Sequence, residues 1–128
     1  QGADVFSGGI NRGRDVAVDN GTPLAVPEGT WIVQDVFDGR TKVGRIGDGT
    51  NDGYGNSVLL VNKNTGEKVR MSHLMAGIQA KQGQELAGGT IFGRTGQTGN
   101  LDIEYFDSKG KLKDIMQSPY GRSLMGGR

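Results

Sequence analysis

The sequence predicts an all-β fold, a glycine-rich antiparallel barrel or sandwich. Three observations carry this. Short apolar or β-branched runs recur at about 8–12-residue spacing. Turn-forming residues separate them, and the 24 glycines in 128 residues fall between the apolar runs, while there are only 3 prolines. No stretch longer than about two turns keeps the 3.6-residue period of an amphipathic helix.

The length fits one domain with a single core. We expect residues 1–117 to form it and residues 118–128, with three glycines, to be a loose tail. Lys and Arg total 15 against 14 for Asp and Glu, which argues against a nucleic-acid partner. The absence of cysteine excludes thiolate metal sites and cysteine nucleophiles. No apolar run is long enough to insert in a membrane. The chain begins at Gln1, which suggests a domain excised from a longer protein, or a processed product.

In chain order, Val5 to Ile10 is a leading segment that ends in a glycine turn. Val16-Ala17-Val18 is a short strand, and Asp19-Asn20-Gly21 a strong turn. Thr22 to Val26 is the next strand, with Pro23 near its start, where a missing N–H is tolerated. Thr30 to Phe37 is β-branched and aromatic, the clearest long strand. Asp38 to Asp52 carries four glycines among charges and reads as an extended loop.

Ser57 to Val61 reads as a buried strand, and Asn62 to Gly66 as a hairpin turn onto Glu67 to His73. Leu74 to Ile78 is compatible with one helical turn. Lys81 to Leu86 and Gly88 to Gly93 are two more short strands with glycine corners. Leu101, Ile103 and Tyr105 alternate with Asn100, Asp102 and Glu104, giving a strand with one dry and one wet face. Asp107 to Gly110 is a turn, and Lys111 to Ile115 a last strand.

Four segments stand out by their order. Asn11-Arg12-Gly13-Arg14-Asp15 leads into the first strand. Gly53-Tyr54-Gly55-Asn56 leads into the buried one, and Met71-Ser72-His73-Leu74 ends another. The Gly93-x-x-Gly96 frame precedes Asn100-Leu101-Asp102-Ile103-Glu104. In this order and spacing they resemble the lysostaphin-like zinc metallopeptidases that cut peptidoglycan cross-bridges. That family reads His-x-x-x-Asp, Gly-Tyr-Gly-Asn, a Tyr-Ala-His-Leu-like segment, Gly-x-x-Gly-x-Thr-Gly and His-Leu-His-Phe-Glu. The resemblance covers roughly Phe6 to Phe106 and implies the duplicated hybrid motif fold.

The resemblance also implies where the site lies. Asn11, Asp15 and Asp102 stand at the three zinc-ligand positions. His73 and Asn100 stand at the two histidine positions that serve acid–base and transition-state roles beside the metal-bound water. His73 is the only histidine in the chain. Amide and carboxylate oxygens suit hard cations better than zinc. Without tightly held zinc no water is activated near neutral pH. Asn100 cannot exchange a proton there either.

Hence zinc is not expected, and an empty site or a hard divalent cation is. The expected function is that of a catalytically degenerate peptidoglycan-endopeptidase-like domain. It would be a structural or binding module of a bacterial envelope protein or of a phage tail or virion component. Its partner would be peptidoglycan or an envelope or virion protein, in an extracytoplasmic or virion setting. The competing reading is an active cell-wall metallopeptidase with an oxygen-rich metal site. Plainer roles stand beside these. His73 can simply bond a backbone carbonyl, and Asp15 and Asp102 can pair with Arg12, Arg14 or Arg94. Trp31 and Phe37 read as core, and the basic clusters Arg40–Arg45 and Lys109–Lys113 as solvated faces.

Overall fold

The computed structural model describes residues 14–39, 55–96 and 99–120. The leading segment, Asn11, nearly all of the 38–52 loop and residues 121–128 lie outside the described residues. Nine strands follow in chain order among the described residues. They are β1 (Arg14–Ala17), β2 (Pro23–Ala25), β3 (Thr30–Phe37), β4 (Ser57–Asn62), β5 (Lys68–Ser72), β6 (Glu85–Ala87), β7 (Ile91–Arg94), β8 (Asn100–Phe106) and β9 (Leu112–Lys113). Among the described residues one 3-10 turn, Ile115–Gln117, is the helical structure.

Every pairing is antiparallel. The large sheet runs β1-β8-β5-β4-β3-β6, with β9 also pairing β8. β2 and β7 form a second, two-stranded sheet. The large sheet keeps two edges, β1 and β6, so of the two expected architectures the sandwich is the one observed. Leu24 of β2 and Phe92 of β7 join Trp31, Val33, Leu60, Val69, Met71 and Ile103 of the large sheet in one core. Fully burying each such side chain is worth about 1.5–3 kcal/mol.

The core face follows the period-two pattern. In β8, Leu101, Ile103 and Tyr105 are buried, and in β5 Val69 and Met71 are. Trp31 is wholly buried, with its indole N–H donated to the Glu28 carbonyl at 3.0 Å. Phe37, expected in the core, is only half-buried at the end of β3. The register of β3 on β4 shifts between Val33 and Asp35, a bulge within this long strand.

Three local expectations differ from the structure. Leu74 to Ile78 is not helical. Leu74 bridges to Thr95, and the N–H groups of Met75 and Gln79 donate to the carbonyls of Arg94 and Phe92. The segment therefore runs alongside β7, and long-range partners win over the local i, i+4 apolar spacing. The expected strand Lys81–Leu86 shrinks to β6, because Lys81 to Gln84 closes a turn with Gln84 N–H on the Lys81 carbonyl. The last strand shortens to β9, and Asp114 then caps the 3-10 turn through its side chain.

Tyr120, inside the stretch expected to be loose, is packed. Tyr120 is buried, its ring edge-on to Trp31 at a centroid distance of 5.1 Å. Its hydroxyl donates to Glu67 and accepts from Asn62 Nδ2 at 3.2 Å.

Candidate functional site

The outward face of the large sheet gathers polar residues into a row. Asp15 of β1 is the direct partner of Asp102 of β8. Asp102 is also the partner of Ser72 of β5, and Ser72 of Ser57 of β4. Direct partners share a face, so Asp15, Asp102, Ser72 and Ser57 line up across four strands. Asn100, two residues before Asp102 and opposite Ala17, lies on the same face. The row is open at one end and closed at the other: Asp15 is exposed, Asn100 and Asp102 half-buried, and Ser72 and Ser57 buried.

His73 follows Ser72 directly, just past the end of β5, and is 9% exposed. Its φ of 66° is the only positive φ outside glycine among the described residues. Histidine is one of the few side chains that visit this region with some frequency. The surroundings hold it there. The Gly96 N–H donates to the His73 carbonyl at 2.9 Å, and the Leu74 N–H to the Asn56 carbonyl at 3.0 Å. Asn56 Nδ2 donates to the Leu74 carbonyl at 3.1 Å, and its Oδ1 accepts the Gly39 N–H at 2.8 Å. Asn56 is 1% exposed. Thus the last residue of the Gly-Tyr-Gly-Asn segment and the second glycine of the Gly-x-x-Gly frame both fix the backbone around His73.

Burial disfavours the charged imidazole and lowers its pKa below the usual 6.5, while the negative charge of Asp15 pulls it partly back up. Asp15 is therefore within electrostatic reach of His73. The imidazole Nδ1 and the Ser72 hydroxyl are both buried, and neither finds a hydrogen-bond partner among the described residues. The plain expectation that His73 bonds a carbonyl through its ring is not met by Nδ1.

Of the five sequence-predicted site residues, Asp15, Asn100 and Asp102 thus share one sheet face, and His73 adjoins it at a strand end. Asn11 lies outside the described residues. Asn100 and Asp102 are each engaged by polar interactions of their own. Among the described residues no three His, Cys, Asp or Glu side chains come close enough together to share a metal ion. Sequence reasoning missed Ser72 and the neighbouring pair of Arg70 and Glu104. Arg70 and Glu104 are direct partners on the same face, joined at 3.3 Å, with Glu104 buried. The alternation of apolar Val69 and Met71 with polar Lys68, Arg70 and Ser72 was the available signal for Ser72, but only the register with β8 puts it beside Asp102.

A cleft of about 120 Å³ lies between the segment after His73 and β7. Met75, Gly77, Gln79, Ile91 and Arg94 contribute to its lining. Met75 and Ile91 are among the few large apolar side chains exposed.

Solved structures share this arrangement of strands. A zinc-containing peptidase from Vibrio cholerae superposes with a TM-score of 0.62 at 23% identity, over 84% of this chain and 30% of its own. The catalytic domain of the antimicrobial peptidase lysostaphin from Staphylococcus simulans superposes with a TM-score of 0.63 at 21% identity. This chain has the lysostaphin fold. The lysostaphin superposition takes in 86% of this chain and 79% of that domain. A third structure with the fold, LytU, gives a TM-score of 0.64 at 23% identity, over 88% of this chain and 78% of LytU. The chain thus spans less than a third of the Vibrio protein and nearly four-fifths of the other two. By sequence, no family model and no curated protein matches it.

Proposed function

We propose that the chain is a non-catalytic binding or structural module built on the lysostaphin fold, directed at peptidoglycan or at an envelope or virion protein. The observation that carries this reading is the Asp15–Asp102 pairing. It puts a carboxylate where the resemblance asks for a zinc-binding imidazole, directly across from the carboxylate at the neighbouring ligand position. The chain's one imidazole, His73, stands at a helper position and not at a ligand position.

The residues at these positions do not fit zinc. Catalytic zinc takes three protein ligands, usually including imidazole nitrogens. Here the ligand positions hold Asn11, Asp15 and Asp102, an oxygen-only set. Asn100 also removes one of the two proton-transfer groups. What remains suits recognition. Asp15, Asn100 and Asp102 offer acceptors and an amide on an accessible face, backed by a rigid sheet. Such a face can hold a peptide or glycan by hydrogen bonds without cleaving it. A hard divalent cation is compatible with the same oxygens. The setting that suits the reading is extracytoplasmic, in a bacterial envelope or a virion.

The test is co-sedimentation with purified, insoluble peptidoglycan, followed by mass analysis of the soluble fraction. We expect retention of the protein and no released peptides. Peptide release that depends on added metal and disappears in Asp15→Ala would instead establish an active metallopeptidase.

A further inference from the structure

We propose that the cleft between the segment after His73 and β7 binds a peptide carboxy terminus whose last residue carries a small aliphatic side chain. This rests on the reading of the chain as a binding module and adds a foothold outside the Asp15–Asp102 row.

Two hydrogen bonds tie the segment to β7. The Met75 N–H donates to the Arg94 carbonyl at 2.8 Å, and the Gln79 N–H to the Phe92 carbonyl at 2.7 Å. Between these ties, Ala76 to Ile78 span what Gly93 alone spans on β7, so the segment arches away from the strand. The N–H groups of Gly77 and Ile78 turn instead to the Asp38 carboxylate, at 3.1 and 2.8 Å. The cleft of about 120 Å³ is the gap under this arch. Nothing on β7 fills it, since a Cβ on Gly93 would meet no atom within 4 Å.

Its walls are apolar and its end is cationic. Met75 is 40% exposed and Ile91 49%, so both are open to a ligand. Arg94 is exposed, and its Nη1 donates to the Gly21 carbonyl at 3.0 Å. Among the described residues no carboxylate pairs with it. With Nη1 engaged, the Nε–Nη2 edge of the fork is left for a ligand. A Cβ on Gly21 would lie 3.9 Å from Met75 Cε. The guanidinium and the Met75 methyl therefore meet at one glycine.

These features together select the ligand. A guanidinium edge pairs with a carboxylate through two parallel hydrogen bonds. One arginine balances one negative charge. A phosphate dianion would bring a second charge and a larger hydration shell against apolar walls. The volume lies below the roughly 150 Å³ that holds a benzene ring inside a protein, so the walls fit a methyl- to isopropyl-sized group and not an aromatic one. On a chain terminus the carboxylate and the side chain hang from one carbon, which matches a guanidinium and a methyl that meet at one glycine. An aspartate or glutamate side chain holds its carboxylate further from any aliphatic neighbour.

The test is an amide chemical-shift titration of the isotope-labelled chain at neutral pH. The probes are racemic Nα-acetyl-alanine, its carboxamide, Nα-acetyl-glycine and inorganic phosphate. We expect Nα-acetyl-alanine to shift the Gly77, Gln79, Gly93 and Arg94 amides saturably, with a Kd on the order of 10 mM or tighter. The carboxamide should bind at least about tenfold more weakly, for want of the charge. Nα-acetyl-glycine should bind about threefold more weakly, for want of the methyl. Arg94→Gln should weaken binding by at least about tenfold. Gly93→Val should do the same, because its side chain shares the face of Ile91 and fills the cleft. Lys81→Gln, an exposed cation further along the same segment, should leave binding unchanged.

Equal binding of acid and carboxamide would overturn the assignment. So would the absence of saturable shifts at these amides, or phosphate binding as tightly as Nα-acetyl-alanine. If Nα-acetyl-alanine fails while the protein still sediments with intact peptidoglycan, only this assignment falls. Release of peptides from peptidoglycan would strike the non-catalytic reading, whatever the titration shows.

Discussion

The N–H of Gly96 donates to the carbonyl of His73 at 2.9 Å, and a Cβ on Gly96 would stand 2.7 Å from that same oxygen. The glycine is therefore a spacing requirement. It lets the loop after β7 close on the one residue that carries an imidazole. Gly96→Ala should cost about 1–3 kcal/mol, because the clash is with backbone and cannot be relieved by a rotamer. Gly93→Ala is the control, since nothing lies within 4 Å of a Cβ there. Urea unfolding of the two variants is the measurement. Equal stabilities would show that the close approach does not constrain the fold.

Asn56 should behave like Gly96. It is buried and bridges Gly39 to Leu74. Asn56→Ala leaves the part-buried Gly39 N–H and the buried Leu74 carbonyl without this partner, and the buried carbonyl alone costs about 1–3 kcal/mol. The same amide resonances around His73 should shift in Asn56→Ala and in Gly96→Ala. A perturbation confined to the neighbourhood of residue 39 would contradict a shared role in holding His73.

Because His73 is the only histidine, its ring protons report one titration. Its midpoint should lie below 6.5, since burial outweighs the pull of Asp15. The linkage sign follows. With the folded pKa below the unfolded one, stability is fully present above about 6.5 and declines as pH falls through the folded value. Asp15→Asn removes the charge that favours the imidazolium, so the midpoint should fall further. A midpoint at or above the ordinary value in the native chain would show that the imidazole is open to water.

At the other end of β5, the Glu67 carboxylate accepts hydrogen bonds from Tyr105, Tyr120 and Thr65. Burial works to raise the Glu67 pKa, but the three hydroxyls together lower it below 4.5. Its contribution is therefore present above that value and lost as pH falls through the folded pKa. Burial, then the Glu67 hydrogen bond and charge, push Tyr120 up to about 12. That contribution is present below the usual 10 and lost as pH rises toward about 12. Tyr120→Phe should cost about 1.5–3 kcal/mol, as for a hydrogen bond to a charged group. It should also flatten the acid limb of a stability–pH profile read by the fluorescence of Trp31, which Tyr120 touches. An unchanged acid limb would show that Tyr120 is not coupled to Glu67.

Local pattern revealed much of this fold. Thr30 to Phe37 is a strand with the predicted ends, because six of its eight residues are β-branched or aromatic and turns bound them. The alternation from Asn100 to Tyr105 fixed which side of β8 is dry, and with it the face that carries Asn100 and Asp102. The misses at Leu74–Ile78 and at Tyr120 involve distant partners. Leu74 and Ile78 have helical spacing, but their segment is claimed by β7. Nothing near Tyr120 announces that Glu67 and Asn62 await its hydroxyl. The candidate site divides in the same way. Asp15, Asp102 and His73 could be named from motif order. That Asp15 faces Asp102, and that Ser72 completes their row, depends on strand register, which a single sequence does not display.

We propose that carboxylate and amide oxygens at the ligand positions give a recognition surface in place of a zinc centre. The most direct test of this is metal content. Tag-free protein is equilibrated with zinc, dialysed against metal-free buffer and assayed by elemental analysis. We predict that the zinc retained falls far below one equivalent. One equivalent that survives dialysis, and is lost in Asp15→Ala or Asp102→Ala, would contradict the account.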